Sequence, residues 1–290
     1  MIPDTATLNA IHARMQTVVR TVRLPFRNHA WRGLNGNRAG SGIGSSIDFQ
    51  DHRPYLPGDD PRYIDWQAYA RSGHYTLKLY REEVSPSVDV VLDSSASMFL
   101  TEPKAARTVE LFYFSVVSAL QSGGSLRCYL VNGDNVETLS NEIVLSGKLS
   151  IADDRNGGTG SSSALLRVPW RPASLRVWIT DGLFPGAPAL HPMVHSKGRG
   201  VLLSPWCETE TNPAWDGNLD MIDCESRSLR KQRVEFATLQ RYRDAYQRHF
   251  TLWQEEARRL GIAYARVPAA GRFIDAMMAE ALPAGAAELA

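Results

Sequence analysis

The chain has 290 residues, of which 43% are hydrophobic and 22% are charged, and its net charge at pH 7 is +1. This composition is typical of a globular protein with a sizeable core, and the near-neutral charge gives no overall case for nucleic-acid binding. Three scattered cysteines exclude a disulfide framework and a cysteine-type zinc site, so we expect a reducing, cytoplasmic compartment. We also expect no secretory signal and no direct membrane insertion, because no stretch approaches the roughly 18 apolar residues of a membrane helix.

The N-terminal segment is predicted to be helical. Apolar residues recur on one side of residues 5–23, which indicates an amphipathic helix. Residues 1–38 hold six arginines against a single acid, Asp4. Such a local excess of positive charge is more typical of a solvated face than of a nucleic-acid contact, so we expect no nucleic-acid partner.

Residues 47–83 form a second distinct stretch. Pro57-Gly58-Asp59-Asp60 is a turn sequence, and Asp60 followed by Pro61 can open a helix. We expect that helix to place Ile64, Ala68 and Arg71 on one face. Residues 75–80 alternate between apolar and polar side chains, which predicts a strand.

An oxygen-rich motif follows the next predicted strand. Val88, Val90, Val91 and Leu92 suit a strand that is buried on both faces, and Asp93, Ser95 and Ser97 follow at alternate positions. A carboxylate with two hydroxyls favours Mg²⁺ or Mn²⁺ over zinc. The plainer interpretation is a polar loop in which Ser97 caps a helix.

Two later segments support the metal interpretation. Residues 155–166 form a glycine-rich loop that can present Thr159, although Ser161 to Ser163 compete with it, and residues 175–180 are an apolar strand followed by Asp181 and Gly182. Parallel strands would bring Asp93, Thr159 and Asp181 to one sheet edge. The remaining chain alternates predicted strands with helices, which indicates an α/β fold. We expect strands near 86–92, 126–131, 175–180, 200–204 and 262–267, and helices over 104–122 and 236–260.

The order of these motifs resembles the metal-ion-dependent adhesion site of von Willebrand factor type A domains. The chain also resembles the family called domain of unknown function 58, which carries such a domain and accompanies MoxR-type AAA+ ATPases. The likeness rests on Arg53 to Asp60, Arg62, Ile64-Asp65-Trp66, Ala70-Arg71 and Leu92 to Met98. It continues in Asp223-Cys224-Glu225 and in Tyr246 to Val267, which resemble the closing strand, helix and strand of the family.

The resemblance implies a doubly wound, mostly parallel sheet with helices on both faces. It places an N-terminal extension at residues 1–84, the von Willebrand A-like domain at 85–282 and a flexible tail at 283–290. It assigns the metal ligands to Asp93, Ser95, Ser97, Thr159 and Asp181. Arg53, Asp59, Asp60, Arg62, Asp65, Trp66 and Arg71 form a block that we interpret as an ion-paired brace between the extension and the core, with a second partner surface as the alternative.

These features predict a protein that docks partners rather than an enzyme. A site with two carboxylates and three hydroxyls leaves Mg²⁺ an open position that an acidic residue of a partner could fill. The resemblance implies a MoxR-type ATPase and a client protein as partners. The alternative is a Mg²⁺-dependent phosphate-ester hydrolase that uses Asp93, but Ser95 stands where the acid–base carboxylate of such an enzyme is expected.

Overall fold

A computed structural model describes residues 3–26, 49–80, 86–149 and 162–290 of the chain. The chain divides into two compact units. One comprises residues 1–28 and 87–290, and the other comprises residues 29–86. No helix within the described ranges is both long enough and apolar enough to cross a membrane.

The helices and strands alternate along the chain. In order they are α1 (Thr5–Val18), β1 (Val22–Arg23), β2 (Phe49–Pro54), α2 (Trp66–Ser72), β3 (Thr76–Tyr80), β4 (Ser87–Asp93), α3 (Glu102–Gln121), β5 (Ser125–Asn132), β6 (Asn135–Leu139), α4 (Asn141–Leu145), β7 (Leu175–Ile179), β8 (Arg199–Trp206), α5 (Glu208–Thr211), β9 (Gly217–Ile222), β10 (Leu229–Val234), α6 (Phe236–Leu260), β11 (Ala263–Pro268), α7 (Phe273–Ala276) and β12 (Glu288–Leu289). Short 3-10 helices connect several of them.

A six-stranded sheet forms the centre of the larger unit, in the order β6–β5–β4–β7–β8–β11. Its strands are parallel except β6, which pairs antiparallel with β5. Five of these strands lie where the apolar runs predict them, because β-branched and aliphatic side chains fill a layer that is covered on both faces. The predicted α/β fold class is confirmed.

The strand order reverses beside β4. The chain moves from β4 outward to β5 and β6, and then returns to place β7 on the other side of β4. In open α/β sheets, ligands bind outside the carboxyl ends of the strands at such a reversal. The parallel register pairs Leu92 with Ile179, so Asp93 and Asp181 follow neighbouring strands at the same edge, as the sequence predicts.

Helices pack on the sheet through two separate sets of side chains. Trp253 and Ala257 of α6 lie in one buried cluster with Trp178 and Leu202 of the sheet. Helix α3 is buried along most of its length and contacts β4, β5, β7 and β8 without contributing to that cluster. Because successive side chains of a strand point to opposite faces, the sheet can bury apolar residues against both helices.

The compact units of the structure are divided differently from the predicted domains at both ends of the chain. Helix α1 belongs to the larger unit and contacts α3, where Leu8, Ile11 and Met15 are buried. The predicted amphipathic stripe finds its apolar partner there, and the helix is shorter than predicted because β1 follows it. The C-terminal residues are not a free tail, since β12 pairs antiparallel with β1 and Arg23 Nε donates to Glu288 Oε1 at 3.0 Å.

The smaller unit contains an antiparallel pair, β2 and β3, with a short 3-10 helix and α2 between them. The expected single helix from Asp60 to Arg71 is interrupted. A 3-10 turn ends at Tyr63, Ile64 forms an isolated β-bridge with Leu77, and α2 begins at Trp66. Asp65 accounts for the break, because its carboxylate accepts hydrogen bonds from the backbone of Gln67 and Ala68 and so caps a new helix.

Candidate functional site

Asp93 lies at the carboxyl end of β4 and is 3% exposed. Its Oδ1 accepts a hydrogen bond from the backbone N–H of Ser95 at 2.9 Å, and its Oδ2 accepts one from Thr180 Oγ1 at 2.6 Å. Thr180 directly follows β7, so this hydrogen bond joins the ends of the two strands that flank the reversal. The carboxylate is therefore held in a fixed orientation, with lone pairs left for a further partner.

Ser95 and Ser97 turn their hydroxyls toward each other. The two Oγ atoms lie 3.2 Å apart, and Ser95 is buried. A 3-10 helix over Ala96–Phe99 produces this approach, because it brings the chain back on itself directly after the strand. The structure thus brings together the three predicted residues of the first loop.

Asp181 stands on a tight turn after β7. Its Oδ1 accepts from the backbone N–H of Leu183 at 3.0 Å, and its own N–H points to Met98 Sδ at 3.1 Å. Gly182 has a φ of +69°, and a Cβ at this position would lie 3.1 Å from the Trp253 ring. Glycine is therefore required both by the left-handed backbone and by the close aromatic side chain. Thr159, the predicted ligand of the second loop, lies outside the described residues.

Lys104 is a member of the site that the sequence did not indicate. Its side chain is fully buried, its Nζ donates to Asp181 Oδ2 at 2.7 Å, and it also pairs with Glu210 of α5. The residue follows Pro103 in the first turn of α3, where a lysine normally faces solvent. The sequence therefore does not indicate that Lys104 is buried. Asp181, predicted as a metal ligand, already has a cationic partner.

The local charges are incompletely balanced. Burial, and then the negative charge of Asp181, raise the pKa of Asp93 to about 6. Burial disfavours the ammonium of Lys104, but the charges of Asp181 and Glu210 outweigh it and raise the pKa of Lys104. Lys104 therefore remains a cation that is paired with Asp181 and Glu210, while the donors to Asp93 among the described residues are neutral.

Glu225 reaches the same site from a distant part of the chain. Its Oε1 accepts from the backbone N–H of Ser97 at 2.8 Å, and its Oε2 accepts from that of Ala96 at 3.2 Å. The residue lies in the turn between β9 and β10, so the resemblance of Asp223-Cys224-Glu225 to a closing strand is not followed by the structure. Burial raises the pKa of Cys224 to about 11, and the charges of Glu225, Asp223 and Asp181 add to this.

The residues present fit a hard cation that is bound in part through hydroxyl groups. Within the described ranges no three histidine, cysteine, aspartate or glutamate side chains are arranged to hold a metal ion. Asp93 and the hydroxyl pair instead offer oxygen atoms of the kind Mg²⁺ and Mn²⁺ prefer, and no cationic side chain in the described part of the chain pairs with the Asp93 carboxylate. A divalent cation would offset that buried negative charge.

The charged block of residues 53–71 forms ion pairs inside the smaller unit. Arg53 contacts Asp59 through two 2.7 Å hydrogen bonds, and Arg62 pairs with Asp60 at 2.6 Å. Asp65 pairs with His52 at 2.8 Å and with Lys78 at 3.6 Å. These pairs fix the turn and the hairpin around it. Trp66 is 59% exposed and Arg71 donates to the carbonyl of Gln67, so both lie on the surface of this unit.

The comparison with protein families matches residues 51–139 to the model described as protein of unknown function DUF58. Over this stretch the chain is similar to the DUF58 family. The match begins in the charged block of the smaller unit and continues through β4, the Asp93 loop and α3 to β6. The predicted family resemblance is therefore confirmed, and the match includes Asp93, Ser95 and Ser97.

Curated relatives match a part of the chain. The uncharacterized proteins Rv1480 of Mycobacterium tuberculosis and Mb1516 of Mycobacterium bovis are each 28% identical over 115 residues, which is 39% of this chain. The match spans 36% of the length of each relative.

Two solved structures show more distant similarity. The conserved hypothetical protein BatB from Bacteroides thetaiotaomicron aligns with 67% of this chain and 95% of its own, at 15% identity and a TM-score of 0.39. An aerotolerance-related membrane protein from Bacteroides fragilis aligns with 59% of this chain and 98% of its own, at 17% identity and a TM-score of 0.34.

Proposed function

We propose that this DUF58 protein is a non-enzymatic adaptor that docks an acidic residue of a partner through Mg²⁺ or Mn²⁺. The ligands would be Asp93, Ser95, Ser97, Thr159 and Asp181. The observation that carries the proposal is the pairing of the Ser95 and Ser97 hydroxyls beside Asp93, at the strand-order reversal of the sheet. Asp93 is buried, and no cation among the described residues pairs with its carboxylate.

The charge of the site favours docking. When bound, the cation supplies a coordination position that a carboxylate from another molecule can complete. Lys104 pairs with both Asp181 and Glu210, so its single positive charge does not offset Asp93 as well. A divalent cation balances the remaining negative charge of these three carboxylates, so an incoming aspartate or glutamate meets no net repulsion from them and is attracted by the cation at contact distance.

The partners follow from the family resemblance. A MoxR-type AAA+ ATPase and a client protein are the molecules that such an adaptor would join. Cytoplasmic location agrees with Cys128, Cys207 and Cys224 being free thiols in the described part of the chain.

Phosphate-ester hydrolysis by Asp93 is the competing function, and the contacts of the site oppose it. Ser95 occupies the position of the expected acid–base carboxylate. The carboxylates of Asp181 and Glu210 are both paired with Lys104, so both are already engaged in ion pairs where an acid–base group would need access to the substrate.

Metal binding by the full chain tests the proposal. Electron paramagnetic resonance titration with Mn²⁺ should give binding by the wild type and at least about a tenfold weaker affinity for Asp93→Ala, the loss expected when a metal ligand is removed. Asp216→Ala, which alters an exposed aspartate, should bind as the wild type does. Equal affinity in all three proteins would remove the cation from this position.

Docking and hydrolysis are then separated by two further measurements. Capture of the cognate MoxR-type ATPase by the wild type should require Mg²⁺, disappear with EDTA and be lost in Asp93→Ala. The same preparations should not hydrolyse p-nitrophenyl phosphate with Mg²⁺. Turnover that vanishes in Asp93→Ala would replace docking by catalysis, and capture that is insensitive to EDTA would exclude docking through the metal.

A further inference from the structure

The turn between β9 and β10 places a carboxylate against the candidate metal site. Both oxygens of Glu225 are engaged there, Oε1 with the N–H of Ser97 at 2.8 Å and Oε2 with that of Ala96 at 3.2 Å. The contact joins residues separated by more than 120 positions along the chain, so it is a product of tertiary structure rather than of a local turn. An acid from the chain itself thus contacts the backbone of the loop that carries Ser95 and Ser97.

The turn is built to present Glu225. Asp223 Oδ1 accepts from the backbone N–H groups of Glu225 at 3.0 Å and Ser226 at 2.6 Å. The N–H of Asp223 donates to the carbonyl of Ser228 at 3.0 Å, which closes the turn, and Arg227 adopts a left-handed φ of 58° within it. These bonds all lie within the turn, so they orient Glu225 independently of its contact with the first loop.

The strands that carry this turn offer little other support. β9 and β10 form a two-stranded sheet of their own and do not join the central sheet. Their surface is largely exposed, including Ile222 at 63% and Leu229 at 57%. A two-stranded hairpin is marginally stable by itself, so the hairpin can move away from the site at a modest cost in free energy.

We propose that Glu225 is an internal ligand that occupies the docking position and is displaced by the acidic residue of a partner. This inference rests on the proposed function. The carboxylate of Glu225 has the same chemistry as the expected partner group, and its hydrogen-bond donors belong to the loop that holds Ser95 and Ser97. A tethered ligand acts at an effective concentration in the millimolar range, so a partner binds only when its affinity exceeds that competition.

Competition of this kind makes the adaptor selective. A single acidic side chain from a random protein does not displace Glu225, whereas a partner with additional contacts does. Displacement also frees the β9–β10 hairpin, so partner binding and hairpin movement are coupled.

Acetate provides a probe for the position that Glu225 fills. Mn²⁺ affinity of the full chain is measured for wild type, Glu225→Ala and the control Asp220→Asn, which alters an exposed acid on the same hairpin. We expect Glu225→Ala to bind Mn²⁺ about tenfold more weakly, since a carboxylate is lost from the site. Addition of 100 mM sodium acetate should restore most of that affinity in Glu225→Ala, relative to 100 mM sodium chloride, and should leave wild type and Asp220→Asn unchanged.

Hydrogen exchange measures the contact without any metal. Peptides that contain Ala96 and Ser97 should exchange at least about tenfold faster in Glu225→Ala than in wild type, because their N–H groups lose their acceptor. Asp220→Asn should keep the wild-type rate.

The outcomes separate the two proposals. Mn²⁺ binding that depends on Asp93 but is the same in Glu225→Ala, with no response to acetate, overturns the internal ligand and leaves the metal site intact. Unchanged exchange at Ala96 and Ser97 also overturns it. Absence of Mn²⁺ binding in the wild type overturns the metal site and the internal ligand together.

Discussion

Lys104 shows how one buried residue determines the charge of the site. Its ammonium is fully buried, and it pairs with Asp181 and Glu210, which come from two other elements. A buried cation with two anionic partners is stable only while all three are present, because an unpaired charge in the interior loses its solvation without compensation. Lys104 therefore holds Asp181 in place and fixes α5 against α3.

Replacing Lys104 with methionine tests this role. Lys104→Met keeps the length of the side chain but leaves two carboxylates without a cation, so we expect a loss of about 3–5 kcal/mol in the free energy of unfolding. Urea unfolding followed by circular dichroism measures the change. Lys148→Met, which alters an exposed lysine, should stay within about 0.5 kcal/mol of wild type. Wild-type stability of Lys104→Met would show that the pairing contributes nothing to folding.

The residues that the sequence predicts and those that it misses differ in how they reach the site. Local apolar runs are enough to locate β4 and β7, and the predicted residues lie at the ends of these strands or shortly after them: Asp93, Ser95, Ser97 and Asp181. Lys104, Glu210 and Glu225 arrive from helices and a hairpin whose packing no local pattern records. Thr180 is the exception, because it lies next to Asp181 and its hydroxyl could have been added to the predicted set.

At the scale of elements, β4 has a polar region at each end, the candidate site at its carboxyl end and a structural ion-pair network at its amino end. Asp93 ends the strand at the candidate site, whereas Asp89 lies near its beginning, about 13 Å away at the rise of a β-strand. Asp89 is fully buried, and its carboxylate accepts from Arg171 Nε at 2.7 Å, from the Arg171 N–H at 3.0 Å and from Ser174 Oγ at 2.8 Å. This network attaches the segment before β7 to the amino end of β4.

Removing the Asp89 carboxylate should destabilise the fold without affecting the site. Asp89→Ala leaves the buried guanidinium of Arg171 unpaired, so we expect a loss of about 3–5 kcal/mol in the free energy of unfolding, measured by urea titration. Asp134→Ala breaks an exposed ion pair with Arg167 and should cost less than about 1 kcal/mol. The folded fraction of Asp89→Ala should bind Mn²⁺ with wild-type affinity, and weaker binding would contradict the separation of the two regions.

The elements themselves follow the sequence where one pattern dominates and depart from it where two patterns compete. The central strands and α6 lie within a few residues of their predicted bounds because their apolar periodicity is unambiguous. The segment from Asp60 to Arg71 was predicted as one helix, but Asp65 is a second cap residue within it. A new helix begins after Asp65 because its carboxylate accepts hydrogen bonds from the backbone N–H groups of Gln67 and Ala68.

At the scale of the whole molecule, chain order does not decide which residues form a unit. Residues 1–28 join residues 87–290, although residues 29–86 lie between them in the sequence. The apolar stripe of α1 predicts that this helix packs on something, but it does not predict where. The pairing of β1 with β12 joins opposite ends of the chain, and a two-residue strand is too short to leave a periodic signal.

The smaller unit should respond to acid through Asp65. Hydrogen bonding to His52, helped by the backbone of Ala68 and Gln67 and by the charge of Lys78, lowers the pKa of Asp65 to about 2, from an ordinary value of 3.8. Because the folded pKa lies below the unfolded one, Asp65 stabilises the unit fully above about pH 4, and this contribution is lost as the pH falls toward 2.

In ¹H–¹⁵N spectra, the amides of Gln67 and Ala68, which donate to Asp65, should titrate with a midpoint near 2. Asp65→Asn should abolish that titration and leave the stability of residues 29–86 less dependent on pH between 4 and 2. A midpoint near 3.8 would instead mean that the ionised carboxylate gains no stabilisation from its partners. The contacts of Asp65 would then not hold the turn and α2 together.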